Sequence, residues 1–543
     1  MHHLEDALLF VLCAIAVIVA VRWLAKRTGL PSAALLTIIG IIYAVLPGPN
    51  VLLQPELVLT LVLPPLLYNA ALDASLIDIR RNMRTVISLS VLLVLVTALL
   101  VGWGFDLFVA GATLAGGIAL GAAIAPPDPV AALAVGRRAG LPPNIITLIQ
   151  GEGLLNDATA LTIFSVAITA AAQGHFSFPH AIGEFLLAAV GGVVVGVLVA
   201  YAVRLLRHFR DDPISANAIS LITPFAAYLL GERIHVSGVL AVVVAGLIIG
   251  HDAPRYSSGA SRLQTSAFWR LIDFILEGLV FLLIGQQLRP MAEHLDEYDT
   301  STIITALAVS IAVVLLFRPL WLLLTQSLPR SLHTRLGGAS EHAAGKRHML
   351  DKALDKREVV ALSWAGTRGV ITLAAAFALP DDVPDAELMK FCAIVVVLVT
   401  LIVQGLTFAP LVRRLGLRAN QADLARERNE ARSAAVRAAI ARLDEIQTEQ
   451  HDHIEDKAID TMRKQLEVRL ERYQRRLDLL DQAESDEVPV SPQYEAALNV
   501  RRLVIEAQRE ELLRWRDAGS LADEGLRTLN RELDHEERLA ERS

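Results

Sequence analysis

Windows of about 20 apolar residues, each long enough to cross roughly 30 Å of hydrocarbon as a helix, recur along this chain from Leu8 to about residue 412. Only helices and closed barrels satisfy every backbone group in lipid, and windows of this length select helices. The expected fold class is therefore all-α, a polytopic membrane protein. Thirteen spans are predicted, over residues 5–24, 31–46, 52–72, 86–109, 112–135, 146–172, 181–206, 213–231, 236–251, 267–287, 301–327, 358–379 and 387–412. The remainder is of a different kind. Residues 421–543 hold 50 of the 107 Asp, Glu, Lys and Arg residues of the chain, so two solvents are implied. The expected domains are a membrane part, 1–415, and a soluble, mostly helical cytoplasmic tail, 416–543, that binds a regulator or pairs with its copy. With a net charge of -7, divided into +1 before residue 421 and -8 after it, there is no basic surface for nucleic acid. Cys13 and Cys392 fit neither a disulfide framework nor a metal-ligand spacing.

Basic residues test the count, because Lys and Arg accumulate in cytoplasmic connections. With thirteen crossings, 24 of the 29 basic residues before residue 421 fall in connections after odd-numbered spans. They include Arg80, Arg81 and Arg84, Arg204, Arg207 and Arg210, and seven between Arg330 and Arg357. This predicts a multi-pass plasma-membrane protein with its amino terminus outside and its carboxyl terminus cytoplasmic. The first span follows Glu5 and Asp6 without a basic leader, and so reads as a retained helix.

Ionisable residues deep in such spans are costly, and few are present. Asp128 lies among Pro126, Pro127 and Pro129; that density of proline breaks the fifth span. A break at membrane depth frees carbonyl oxygens able to ligate a cation, with Asp128 at the positive end of the second half-helix; the plainer reading is a proline kink capped by Asp128. On the sixth span, at about 100° per residue, Glu152, Asn156 and Thr159 fall at about 0°, 40° and 340°, and Asp157 near 140°. Glu152 is thus expected to meet a protein partner and Asp157 to face a cavity beside Asn156. Arg318 lies far enough along its span to snorkel, which leaves Arg368, in the loose stretch Gly366-Thr367-Arg368-Gly369, as the expected partner of Glu152. That pair is functional or structural glue.

A carboxylate beside an amide in a low-dielectric cavity takes up either a proton or a metal cation. Competition between the two couples their fluxes if the loaded site alone moves between the two sides, which is antiport. With Asn156 in place of a second acid, the charge arithmetic gives one proton for one monovalent cation.

These residues resemble the sodium/proton antiporters of the electroneutral monovalent cation/proton antiporter family, in its bacterial form, over about residues 8–415. The resemblance is carried by LPPLLYNAAL (63–72), DPVA (128–131), GEGLLNDATA (151–160), ITPFAAYLLGERIHVSGVLAVVVAGLIIG (222–250), VFLLIGQQL (280–288), WAGTRGVITLAAAFALP (364–380) and VQGLTFAPLVRRLG (403–416). It implies two inverted six-helix repeats, crossed and broken fifth and twelfth helices, an elevator-like core and a homodimer in membrane lipid. It also implies no cofactor, with Na+ (or K+ or Li+) and H+ as transported ions. Asp157 would be the ion carboxylate and Asn156 its neighbour, Glu152 and Arg368 the buried pair, and Asp128 the residue at the crossing. This chain departs from the pattern at Pro127, where Thr is common, Gly153, where Ser is common, and Asn69, where an acid is common. The Pro127 carbonyl remains able to ligate; Asn69, Thr159 and Glu232 are secondary candidates, and Asp273 and Glu277 read as structural charges near span ends.

Three rivals are weaker. A sodium-coupled solute symporter needs an organic-substrate pocket, and no cluster of polar groups of that size stands apart from the ion site. An intramembrane hydrolase needs a mid-span His, and none of the 14 lies there. A sensor without transport would rest on the tail, which carries no ligand motif.

Overall fold

The computed structural model describes residues 2–46, 54–173, 178–208, 213–256, 258–293, 295, 298–327, 354–449, 453–481 and 492–518, with a few positions between 525 and 537. Arg210 and the basic residues from Arg330 to Lys352 lie outside the described residues, as do Pro489 and its neighbours.

Every described element is helical. In chain order the helices of eight or more residues before residue 419 are α1 (His2–Thr28), α2 (Ser32–Val45), α3 (Pro55–Leu72), α4 (Met83–Phe108), α5a (Leu114–Ile124), α5b (Pro129–Ala139), α6 (Pro143–Gln173), α7 (Phe178–His208), α8 (Pro213–Arg233), α9 (Gly238–Tyr256), α10 (Gly259–Gln286), α11 (Thr300–Ser327), α12a (Lys356–Trp364), α12b (Val370–Phe377) and α13 (Ala386–Leu415). A helix or a helix pair thus lies over each apolar window of the sequence. Among the described residues nine of these segments are long and apolar enough, by length and composition, to cross a membrane: α3, α4, the α5 pair, α6, α7, α8, α9, α11 and α13. Of the others, α10 carries Arg262, Arg270, Asp273 and Glu277. α2 is short, and α12 is broken.

Local signals set the ends. Thr113 caps α5a by accepting from the Gly116 N–H, and α5b starts on Pro129, where a missing N–H costs nothing. A capping box of Asp355 and Glu358 opens α12a. Gly140, left-handed at φ 75°, closes α5b. Single π-turns interrupt α3 at Val58–Val62, α4 at Ser88–Leu92 and α13 at Thr400–Gln404.

The chain divides into two compact units, Met1–Arg418 and Ala419–Ser543. In the first, α5a packs against α4 and α6, α9 packs against α3 and α7, and α2 packs along α10. The last pair approaches very closely, because a Cβ at Gly285 would lie 2.2 Å from the Thr37 carbonyl oxygen and one at Gly40 would lie 2.2 Å from that of Leu282. Small residues let membrane helices touch backbone to backbone. Gly285→Ala is therefore expected to cost about 1–3 kcal/mol through overpacking. Gly259→Ala, at an exposed helix start with nothing closer than 4.0 Å, should stay within about 0.5 kcal/mol of the parent. Thermal unfolding of the two variants in detergent checks this; equal midpoints would refute the close crossing.

In the second unit α14 (Gln421–Glu449) and α15 (His453–Asp481) form a hairpin, and α16 (Pro492–Asp517) follows. The pairing is antiparallel, since Arg426 near the start of α14 meets Asp481 at the end of α15, and Arg463 meets Asp444.

Candidate functional site

Both breaks anticipated in the sequence are present, and they lie against each other. The Asp128 N–H donates to the Thr367 carbonyl at 2.6 Å, and Thr367 Oγ1 donates to the Asp128 carbonyl at 3.0 Å. Two interrupted helices present four free half-helix ends at one place, and each end carries a partial charge that needs an opposite neighbour.

The two carboxyl ends are covered by arginines. Arg368 donates from Nε to the Ile124 carbonyl at 2.9 Å, from Nη2 to that of Ala125 at 3.0 Å, and from Nη1 to that of Gly366. It thereby closes the end of α5a. Arg318, from α11, donates from Nε and Nη2 to the Leu362 carbonyl at 3.2 and 3.1 Å, in the last turn of α12a. The two amino ends share Asp128. Its Oδ1 accepts from the Val130 N–H at 2.9 Å in α5b, and its Oδ2 lies against Gly369, the first-turn cap of α12b. A Cβ at 369 would come within 1.7 Å of that oxygen, so glycine is required there. Asp128 is both the helix cap and the residue at a genuine break; the two readings of its role are compatible.

The expected Glu152–Arg368 pair is not formed. Glu152 instead makes a two-pronged ion pair with Arg318, at 2.8 Å from Nη2 to Oε2 and closer still from Nη1 to Oε1. Their side chains are 2% and 4% exposed. Arg318 does not snorkel, because α11 places it against both Glu152 and the Leu362 carbonyl, so the buried position gives each of its three nitrogens an acceptor. Arg368 is occupied by carbonyls that the proline break leaves without amide partners, an acceptor set with stronger claim on five fixed N–H donors than a carboxylate that already has a fork of its own.

On α6, Asn156 is fully buried and Asp157 is 4% exposed. Asn156 Nδ2 donates to the Pro127 carbonyl at 2.9 Å, which fixes the amide orientation and leaves Oδ1 buried without a donor. Asp157 lies within electrostatic reach of Asp128. The structure thus brings together Asp157, Asn156, Pro127 and Asp128, with Glu152, Arg318 and Arg368 beside them. The other candidates stand apart in role. Thr159 Oγ1 bonds back to the Leu155 carbonyl of its own helix at 3.2 Å. Glu232 Oε1 accepts from the Gly238 N–H at 3.3 Å and so caps the start of α9. Asn69 donates to Asp273 on α10, so a carboxylate does stand beside the third span, supplied by another helix. Asp273 and Glu277, set aside in the sequence as end charges, line α10 toward the crossing, with Glu277 in electrostatic reach of Asp128 and Arg22.

Sequence reasoning also missed Thr367 and Thr400. Thr400 Oγ1 accepts from the Arg368 N–H at 3.0 Å at the π-turn of α13, and π-turns recur where a helix must serve a site. Arg318 had a usable signal, an arginine inside an apolar span.

The donor set is oxygen throughout: a carboxylate, an amide oxygen lacking a donor, and an unwound carbonyl, the groups that bind alkali cations in broken-helix transporters. Among the described residues no cluster of three His, Cys, Asp or Glu could hold a metal. Of the carboxylates at the crossing, Glu152 is paired with Arg318 and Asp128 accepts from the Val130 N–H, which leaves Asp157 as a negative charge that one proton or one monovalent cation would neutralise.

Residues 13–414 match the family described as "Sodium/hydrogen exchanger, transmembrane". The chain is 31% identical over 549 residues to an uncharacterized Na(+)/H(+) exchanger of Mycobacterium tuberculosis, covering 98% of this chain and 97% of that protein. It is 30% identical over 454 residues to a sodium, potassium, lithium and rubidium/H(+) antiporter of Bacillus pumilus, covering 80% of this chain and 66% of that one. The fold is similar to that of the sodium proton antiporter MjNhaP1 from Methanocaldococcus jannaschii, with a TM-score of 0.57 at 19% identity, over 76% of this chain and 99% of that one.

Proposed function

The chain belongs to the sodium/hydrogen exchanger family, and from that premise we propose how its residues exchange a cation for a proton. The protein is a multi-pass membrane transporter and not an enzyme; it carries out secondary-active cation/proton antiport. In the proposed mechanism Asp157 is the carrier. Its carboxylate, with Asn156 Oδ1 and the Pro127 carbonyl, ligates a dehydrated cation, or else Asp157 holds a proton. Asp128 holds the two half-helix amino ends in register beside it. The observation that carries this reading is the buried, donor-free Asn156 oxygen beside a buried carboxylate at the meeting of two broken helices. A buried acceptor without a donor is costly, and a bound cation satisfies it.

In this mechanism the Glu152–Arg318 pair, the bonds of Arg368 to the free carbonyls and the cap at Asp128 stay in place throughout the cycle. Only the leftover negative charge changes occupant, so each crossing carries a neutralised site and the exchange is one for one. Sodium is the proposed cation, and potassium or a mixture of alkali ions is the alternative, since neither oxygen donor beside Asp157 is charged. The wider architecture proposed is thirteen crossings in two inverted six-helix repeats. The amino terminus lies outside and the carboxyl terminus in the cytoplasm of a plasma-membrane homodimer. Residues 1–415 are the antiporter domain and 416–543 a regulatory tail that binds a regulator or pairs with its copy.

In reconstituted vesicles an outward sodium gradient should acidify the lumen, with potassium and lithium compared in the same assay. On a supported membrane turnover should produce no current. Steady current during exchange would overturn the one-for-one stoichiometry, and no proton movement with any alkali ion would overturn the reading.

A further inference from the structure

Away from the crossing, α7 and α9 enclose a cavity of about 150 Å³ lined by Tyr201, Arg204, Arg207, Asp252 and Tyr256 together with apolar side chains. Arg204 and Arg207 lie three residues apart on α7, on one helix face. Arg204 is held over the Tyr256 ring, 4.4 Å from its centroid, and donates to the Tyr256 hydroxyl. Arg207 Nε is buried and has no acceptor among the described residues. Among the described lining residues two guanidinium groups stand against the carboxylate of Asp252, an excess of one positive charge. Below them, Val190, Val193 and Val197 form an exposed apolar stripe on α7 at the three- and four-residue spacing of one helix face, and Val197 itself lines the cavity. An apolar track thus runs into a cationic cavity with an unsatisfied donor and two tyrosines at its mouth. In the topology proposed above, on which this inference rests, both helices end at the cytoplasmic surface.

We propose that this cavity holds the phosphate of an anionic phospholipid, with an acyl chain along the α7 stripe. Guanidinium forks match phosphate oxygens, basic pockets between transmembrane helices at this level take anionic headgroups, and tyrosines settle at the interface. A free phosphate ion satisfies the same donors and leaves the stripe without a role. The lipid ties the ends of α7 and α9 together.

Native mass spectrometry of the full-length protein tests this, because it reads retained lipid and oligomeric state together. The delipidated protein is titrated with phosphatidylglycerol, phosphatidylcholine or inorganic phosphate. Phosphatidylglycerol should be retained in preference to phosphatidylcholine, and inorganic phosphate should not displace it. Arg204→Gln with Arg207→Gln should weaken retention by roughly fivefold per arginine. Arg204→Lys with Arg207→Lys keeps the charge and should recover most of it, and Asp252→Asn should strengthen it. Equal retention of both lipids, displacement by inorganic phosphate, or retention indifferent to the double Gln change would overturn the proposal. So would a switch from dimer to monomer in the double Gln variant with lipid retention unchanged, since a second copy would then cover this face. Sodium/proton exchange measured on the same preparations keeps a failure here distinct from a failure of the antiport reading.

Discussion

Replacing Asp157 by Asn abolishes exchange, reducing cation-driven proton movement to the level of empty vesicles, while the protein remains folded and at least as stable as the parent. The side chain keeps its size and loses the carboxylate proposed to exchange a proton for a cation. It also removes the negative charge that a proton or a cation neutralises, so neither ion is needed. Burying an uncompensated carboxylate is expensive, and its removal should raise the unfolding midpoint in the absence of sodium; loss of function with gain of stability marks a site held strained for its task. Vesicle assays and thermal unfolding on one preparation check both halves. Retained exchange in this variant refutes the assignment, and a large loss of stability would show that Asp157 is structural.

The second large effect falls on a residue that makes no contact with the proposed ion. Arg318→Met leaves Glu152 buried without its fork and the end of α12a without its donor, and should destabilise the protein by about 3–5 kcal/mol. Glu152→Gln alone costs less, because Gln still accepts hydrogen bonds. In the double variant most of the loss should be recovered, since no lone charge remains. A double-mutant cycle between Glu152 and Arg318 is expected to show strong coupling, and a cycle between Glu152 and Arg368 weak coupling. The opposite order would restore the pairing expected from the sequence alone.

That pairing shows where sequence reasoning stops. Spans were legible because hydrocarbon imposes one length and one backbone solution, and the breaks at Pro126–Pro129 and Gly366–Gly369 were legible because proline and glycine act locally. The contact of Asn156 with the Pro127 carbonyl was not legible, because it depends on how α6 lies against the break. Partner choice did not follow. Which guanidinium meets Glu152 depends on how α11 lies against α6 and α12a, a property of packing over a separation of 166 residues. An arginine near a span end reads as a side chain facing lipid, whereas the free carbonyls of two half-helices call for two arginines, one at each carboxyl end. Counting those ends would have assigned both. Asp273 was missed because its role depends on Asn69 of another helix.

The account depends on a proton and a cation excluding each other at one carboxylate. The most direct measurement is proton release from purified protein in weakly buffered detergent on addition of sodium. Parent protein is expected to release one proton per cation bound, with Asp157→Asn releasing none. Sodium binding without proton release, or release unchanged in the Asp157→Asn variant, would contradict it.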